Sequence, residues 1–294
     1  MNRLEELSRQ NRENYERYLK RMTESIRNST KGFLPIMARK GRRVLDVGCG
    51  SGVLLYAIAA ENPEAELTGL DLNAEALNGL REAGAPFTLI HGDFLAINEG
   101  KYDTVVFSSI LHEISSYCPE ESRRFTGGPI EDALRKCREI MPAGGTVLIR
   151  DGVGTEEEQQ NVPAVISFKK PGDSEWLFRF QKDFRGFDGM DVCCEITDLG
   201  DGRYQVGRSF LKEFLCTYTW GPESYAREIC ERFGVLTERG WIQALTNNGF
   251  SVETVTKSKE EYEKFLSDRV VITNTDGTPY EYPYMTVILK AEKR

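Results

Sequence analysis

Nine residues constrain this chain more than any others: Val44 to Gly52, which read VLDVGCGSG. Val44, Leu45 and Val47 have the character of a buried strand, and Val53 to Ala60 (VLLYAIAA) read as a helix directly behind it. Gly48, Gly50 and Gly52 therefore fall in a strand-to-helix turn. Glycine there permits positive φ and lets a ligand lie against the main chain, beside the helix N-terminus. A turn this bare at a strand end points to a bound nucleotide.

The same alternation continues to residue 151. Strands are expected at 43–48, 66–70, 86–90, 102–107 and 146–150, with helices near 53–60, 74–83 and 130–141. Strands joined by helical crossovers make a parallel sheet with helices on both faces. Ligands then bind outside the C-terminal strand ends, at the topological switch point. After Asp151 the pattern breaks into short strand-like and loop segments over residues 155–235. Regularity returns with a helix near 238–248 and strands at 250–256 and 284–291. Residues 155–235 thus read as an insertion. Ahead of the sheet, Leu4, Leu7, Tyr15, Leu19, Met22 and Ile26 form an apolar stripe at helical spacing. That stripe suits a packed helix or a lid.

The turn does not match a dinucleotide fingerprint, which needs glycines at the first, third and sixth positions. Counted from Gly48, the sixth position is Val53. The run VLDVGCGSG instead resembles the first motif of class I S-adenosylmethionine-dependent methyltransferases. Three further stretches match that family in order: LTGLDLN, LIHGDF and YDTVVFSSILHEI, followed by MPAGGTVLIRDG. The resemblance implies S-adenosylmethionine as cofactor. It gives Asp71, at the end of the second strand with Leu72 behind it, the two ribose hydroxyls, for which a carboxylate offers two acceptor oxygens. It gives Asp93 the adenine amino group, with Phe94 adjoining the ring, and places Ser108 at the exit of the fourth strand. Gly48, Cys49, Gly50 and Gly52 line the cofactor, and Asp46 orients the loop or reaches the methionine ammonium.

The expected fold is therefore α/β: a mostly parallel, doubly wound seven-stranded sheet with an antiparallel last strand. A helical extension or lid (1–40) precedes the cofactor core (41–154). An inserted α+β substrate cap (155–235) and the closing part of the core (236–294) follow. The resemblance covers residues 43–151 closely and 238–291 by pattern.

The chemistry asks mainly for a nucleophile held in line with an activated methyl. His112, in SILHEI after the fourth strand, is the candidate general base, since histidine titrates near neutrality. It also fits as a mere pocket wall. Glu113 either orients His112 or faces solvent, and His91 reads as structural. No Asn/Asp-Pro-Pro-aromatic run follows the fourth strand, where Ser108-Ser109-Ile110-Leu111 stands instead. This argues against the amino-methylating DNA enzymes of the family.

The acceptor is to be sought in the insertion. Residues 168–187 interleave aromatics with Lys and Arg, which suits ring stacking and phosphate contact. Yet Trp176, Phe178 and Phe180 also alternate like the inner face of a strand. Trp220 and Tyr225 flank a Gly-Pro turn and are the expected substrate-binding residues. The net charge of −8 disfavours general attraction to nucleic acid. A small-molecule acceptor is thus preferred, with an RNA or nucleotide substrate and a non-catalytic cofactor-binding regulator as alternatives.

The 294-residue composition, 40 % hydrophobic and 29 % charged, is that of a globular protein. The polar N-terminus has no apolar core, and no run approaches the roughly 20 apolar residues of a membrane span. A cytoplasmic protein is expected. Seven cysteines without paired-ligand spacing, among them adjacent Cys193 and Cys194, and only two histidines predict reduced thiols and no metal site.

Overall fold

The structure, a computed structural model, describes residues 30–98 and 100–294. The helix expected over residues 1–29 lies outside the described residues. The first half of the chain runs α1 (Phe33–Met37), β1 (Arg43–Val47), α2 (Val53–Glu61), β2 (Glu66–Asp71), α3 (Ala74–Glu82) and β3 (Thr88–His91). Then come β4 (Thr104–Ser108), α4 (Leu111–Ser116), α5 (Gly128–Ile140) and β5 (Thr146–Gly152). The next segment holds α6 (Glu157–Gln160), β6 (Pro163–Phe168), α7 (Ser174–Asp183), β7 (Thr197–Asp198) and β8 (Arg203–Gly207). The long α8 (Arg208–Trp220) and short α9 (Tyr225–Glu228) complete it. The chain closes with α10 (Glu238–Asn247), β9 (Phe250–Ser258), α11 (Glu260–Leu266), β10 (Val270–Thr273) and β11 (Thr286–Lys293).

Seven strands form one sheet in the order β3-β2-β1-β4-β5-β11-β9. The ladders from β3 through β5 are parallel, while β11 runs antiparallel to both β5 and β9. This is the sheet the alternation and resemblance predicted. Successive side chains of a strand point to opposite faces. Leu45 and Val47 accordingly join one core with Phe107, Ile149, Leu134 and Trp241. Val44 joins the other with Val106, Leu148, Leu55 and Leu77. Burial on both faces is why β1 reads as a nearly unbroken apolar run.

Local capping places the helices. Asn73 accepts the amides of Glu75 and Ala76 to start α3, and Thr237 accepts that of Gly240 to start α10. Pro129 sits in the first turn of α5, where its missing N–H is no loss. The order of strands reverses between β1 and β4, so the glycine turn and the β4 exit share the switch point.

A second, antiparallel sheet, β10-β6-β8-β7, forms the cap. Its core is α8, buried from Ser209 through Tyr218 and packed with Phe180, Phe184 and Val206. Two expectations change here. The division at residue 236 assigned everything after it to the core, but β10 pairs with β6, so the stretch between β9 and β11 adds an edge strand to the cap sheet. The Trp176–Phe178–Phe180 alternation is not a strand: it lies on α7, which buries Leu177 and Phe180, three residues apart, and leaves Phe178 43 % exposed. Adding Leu177 to the aromatics gives helical spacing, and that face is the one with a core to meet.

Cap and core meet closely at the end of β5. A Cβ on Gly152 would collide with the main-chain carbonyl of Phe233, so only glycine fits there. Buried Glu213 of α8 holds that segment by accepting the amides of Phe233 at 2.9 Å and Gly234 at 2.7 Å. Trp241 of α10 donates to the Gly152 carbonyl at 3.0 Å.

Candidate active site

The glycine turn has the backbone its composition required, with φ of +73° at Gly48, +50° at Gly50 and +70° at Gly52. Added side chains would strike Ile110 at Gly48 and Leu80 at Gly52, but no described residue lies within 4 Å of one at Gly50. The open side of the turn is therefore at Gly50. The amides of Gly48 and Cys49 both donate to Leu70 and fasten the turn to β2. Cys49 itself packs against Gly69, and burial pushes its thiol up, so its side chain belongs to the core.

Asp71 ends β2 beside that opening. One of its oxygens accepts from Gly50 N–H and the other from Asn73 N–H, each at 2.7 Å. Each oxygen keeps a second acceptor site, which suits a diol. Burial raises its pKa against the lowering effect of these amides. Leu72 follows, 36 % exposed, with its carbonyl 3.1 Å from His91 Nε2. Exposed Asp93 accepts the Leu95 amide at 2.9 Å and presents its carboxylate at the end of β3. Phe94 differs from expectation. Its ring is 3 % exposed and meets Phe107 edge-on at 5.2 Å, so it fills the core behind Asp93 and leaves only main chain at the surface.

Asp46 is buried and its Oδ2 has no hydrogen-bond partner. Burial first, then the Asp71 charge, pushes its pKa up to about 8, with Lys31 opposing. A cation bound in the turn would supply what this carboxyl lacks. Ser108 likewise has a buried, unpartnered hydroxyl at the β4 exit. Next to it, Ser109 adopts φ +59°, a region that non-glycine residues visit rarely. It is held there by its amide N–H, which donates to the Arg150 carbonyl at 2.7 Å, and by the Arg150 guanidinium, which donates to its hydroxyl at 2.6 Å.

This sharp turn starts α4 and delivers His112 to a cavity of about 220 Å³. Core residues Ser109, His112, Glu113, Arg150 and Asp151 form one side, and Trp220, Arg227, Glu228, Glu231 and Phe233 of the insertion form the other. His112 stacks on Phe233 with ring centroids 4.9 Å apart. Its Nδ1–H donates to Asp151 Oδ1 at 2.6 Å, and its Nε2 lies 3.5 Å from Glu231. The other oxygen of Asp151 accepts the Leu111 amide at 2.7 Å and the Ile110 amide at 3.2 Å. Burial pulls the His112 pKa down, but Asp151 and then Glu231 outweigh it and hold the value well above the usual range. Asp151 stays below its ordinary value, because the imidazolium and nearby amides offset its burial. Tyr117 donates to Glu231 at 2.9 Å.

Asp151, Glu228 and Glu231 escaped the sequence reading. The signal for Asp151 was an acid at the C-terminal end of a parallel strand; for the other two it was a pair of acids one turn apart. The structure also parts the two expected substrate residues. Trp220 lines the His112 cavity, whereas Tyr225 lines another with Asp173, Trp176, Tyr218 and Arg269 and donates to Asp183 at 3.1 Å. Sequence spacing gave no metal-ligand set, yet His112, Glu113 and Glu231 bring ligand atoms within 4.8 Å of one another. In its imidazolium form His112 has no lone pair to offer a metal. Among the described residues, no helix is long and apolar enough to cross a membrane.

Residues 45–147 match the family model described as a methyltransferase domain. The ubiquinone biosynthesis O-methyltransferase of Vibrio parahaemolyticus is 33 % identical over 36 % of this chain and 42 % of that protein. The tRNA1(Val) (adenine(37)-N6)-methyltransferase of Yersinia enterocolitica is 27 % identical over 53 % of this chain and 65 % of that protein. The chain thus spans less than half of the first relative and under two thirds of the second. Human N-acetylserotonin methyltransferase, solved with S-adenosylmethionine, superposes with a TM-score of 0.51 at 12 % identity. That match covers 96 % of this chain and 57 % of the other, and it is a likeness of fold.

Proposed function

We propose that this chain, which belongs to the class I S-adenosylmethionine-dependent methyltransferases, moves a methyl group to an oxygen or nitrogen of a small acceptor seated beside His112. The observation that carries this reading is the His112–Asp151 pair on the wall of a cavity that begins at the switch point.

S-adenosylmethionine supplies a sulfonium methyl that is already activated for transfer. The residues present fit it: Gly50 leaves room, Asp71 has acceptor capacity for a ribose diol, and Asp46 has an orphaned buried oxygen for an ammonium. Leu72 offers an exposed apolar face and Asp93 a free carboxylate oxygen for the adenine end. Ser108 and the main chain of Gly48, Cys49 and Gly52 complete the lining.

In its neutral form His112 takes the acceptor's proton at Nε2. Asp151 fixes the ring by Nδ1 and stabilises the imidazolium that results, as the carboxylate of a hydrolase triad does. Such a base is worth about 10²–10⁴ in rate. Holding the acceptor in line contributes up to roughly 7–11 kcal/mol. Trp220 and Phe233 cover the cavity from the cap side and keep water from the transfer.

A nucleic-acid acceptor is the second reading, supported by the likeness to the Yersinia tRNA enzyme. Against it, Arg179 of the 168–187 stretch is engaged within the cap, 4.2 Å from the Tyr225 ring and 3.5 Å from Asp183. The test is methyl transfer from labelled cofactor over pools of small metabolites and of RNA, with His112→Ala as control. Label in small molecules, lost in the variant, is the expected result. Label in RNA alone would move the assignment to the second reading. Cofactor binding without any turnover would support a regulator.

A further inference from the structure

Three carboxylates line the His112 cavity around its base: Glu113 from α4 of the core, and from the insertion Glu228 of α9 and Glu231 just beyond it. Two cations answer them. Arg227 pairs with Glu228 and lies 4.0 Å from Glu231, and His112 lies 3.5 Å from Glu231. Of the cavity's other cations, Lys31 acts on Asp46 and Arg150 donates to Ser109. Among the described residues, these three carboxylates face two cations, one of which, His112, is also paired with Asp151.

Glu228 is 0 % exposed, and while its Oε1 accepts from Arg227 Nε at 3.0 Å, its Oε2 has no hydrogen-bond partner. A buried carboxylate oxygen without a donor costs several kcal/mol unless it is neutralised or met by a ligand. Burial and mutual repulsion do push Glu113 up to about 8 and Glu228 up to about 7. Both carboxyls therefore stand ready to ionise beside an incoming cation. The site is also small, and Trp220 and Phe233 give it an apolar patch, which suits a compact organic cation with an apolar body.

Resting on the methyl-transfer reading, we propose that the acceptor carries a cationic group, an ammonium or amidinium, separate from the atom that is methylated, and that Glu228 with Glu113 recognises it. The cation sits between these carboxylates and presents the acceptor's hydroxyl or amine to His112 Nε2. No bond is made or broken at the cation itself.

The test uses the full chain saturated with S-adenosylhomocysteine and two probes of equal shape, n-butylammonium and n-butanol. Binding is followed by Trp220 fluorescence and calorimetry, so it needs no turnover. The expected result is saturable binding of butylammonium only, weakened tenfold or more in Glu228→Gln and in Glu113→Gln. Unchanged thermal melting and cofactor affinity show that each variant is folded, and the half-buried Glu113 gives a second variant should Glu228→Gln fail. Equal binding of both probes, or butylammonium affinity indifferent to both substitutions, overturns the proposal. Saturable binding of Mg²⁺ or Zn²⁺ in place of the ammonium overturns it too. Selective ammonium binding together with absence of methyl transfer to any acceptor would sink the enzymatic reading and leave the cation site standing.

Discussion

Asp151 serves His112 twice: Oδ1 receives the ring Nδ1–H at 2.6 Å, and Oδ2 receives the Leu111 amide at 2.7 Å at the start of the same helix. One carboxylate thus sets both where α4 begins and how its histidine is turned. Asp151→Asn keeps an acceptor for the amide but loses the charge that stabilises the imidazolium. Turnover is expected to fall by about 10²–10⁴-fold with cofactor affinity within a few-fold of the parent. Steady-state kinetics and calorimetry read the two quantities separately. Full turnover in a folded variant would remove the pair from catalysis.

The pH profile follows from the same cluster. The pKa of His112 is raised by Asp151 and Glu231, with Glu113, Glu228, Arg227 and Tyr117 also around it. A base must be neutral to act, so kcat/KM should rise with pH along a limb above 6.5. In Glu231→Gln, with one supporting charge gone, that limb should move to lower pH. Folding couples with the opposite sign. A raised folded pKa gives stabilisation that is complete below the unfolded value and lost as pH climbs through the folded one. A limb that stays in place in Glu231→Gln would mean that another group titrates.

Asp71→Ala removes a half-buried carboxylate from the opening of the glycine turn. Losing two hydrogen bonds to a charged group should cost about 1.5–3 kcal/mol, roughly ten- to a hundredfold in cofactor affinity. Calorimetry with S-adenosylhomocysteine measures it, and circular dichroism checks the fold. Undiminished affinity would place the ribose elsewhere.

Gly152→Ala tests how the cap is seated. Its methyl would run into the Phe233 carbonyl, and the segment is pinned by two amides to Glu213, so it cannot yield easily. Overpacking of this kind destabilises by about 1–3 kcal/mol. A lowered melting temperature and weakened methyl transfer are expected, with cofactor binding spared. A variant as stable and active as the parent would show that the cap does not depend on this approach.

Trp220 and Tyr225 should now separate. Trp220→Ala opens the wall of the His112 cavity and should raise the acceptor KM or lower kcat at least tenfold. Tyr225→Phe removes only a hydroxyl bonded to Asp183 in the other cavity, and should cost about 0.5–1.5 kcal/mol of stability while turnover stays near normal. Equal losses of turnover in both would return Tyr225 to the acceptor site.

By itself the sequence determined the sheet and the backbone of the glycine turn. Both depend on local relations: an apolar run buried on both faces, three glycines with positive φ, an acid at the next strand end. Asp71 needs no partner far along the chain to be placed, because β2 leads to it and Asn73 turns the chain just after. The surroundings of His112 were a matter for tertiary structure. His112, a candidate base already in the sequence, gains its orienting partner only when Asp151 meets it from 39 residues away, and Glu231 arrives on a segment of the insertion held by the clash-free Gly152. Residues 270–273 fall in the stretch that the sequence assigns to the core, yet they pair with β6 of the cap. Local periodicity reports which face of an element is buried. It carries no information on which distant surface will cover that face, and the charge of a buried group depends on that surface.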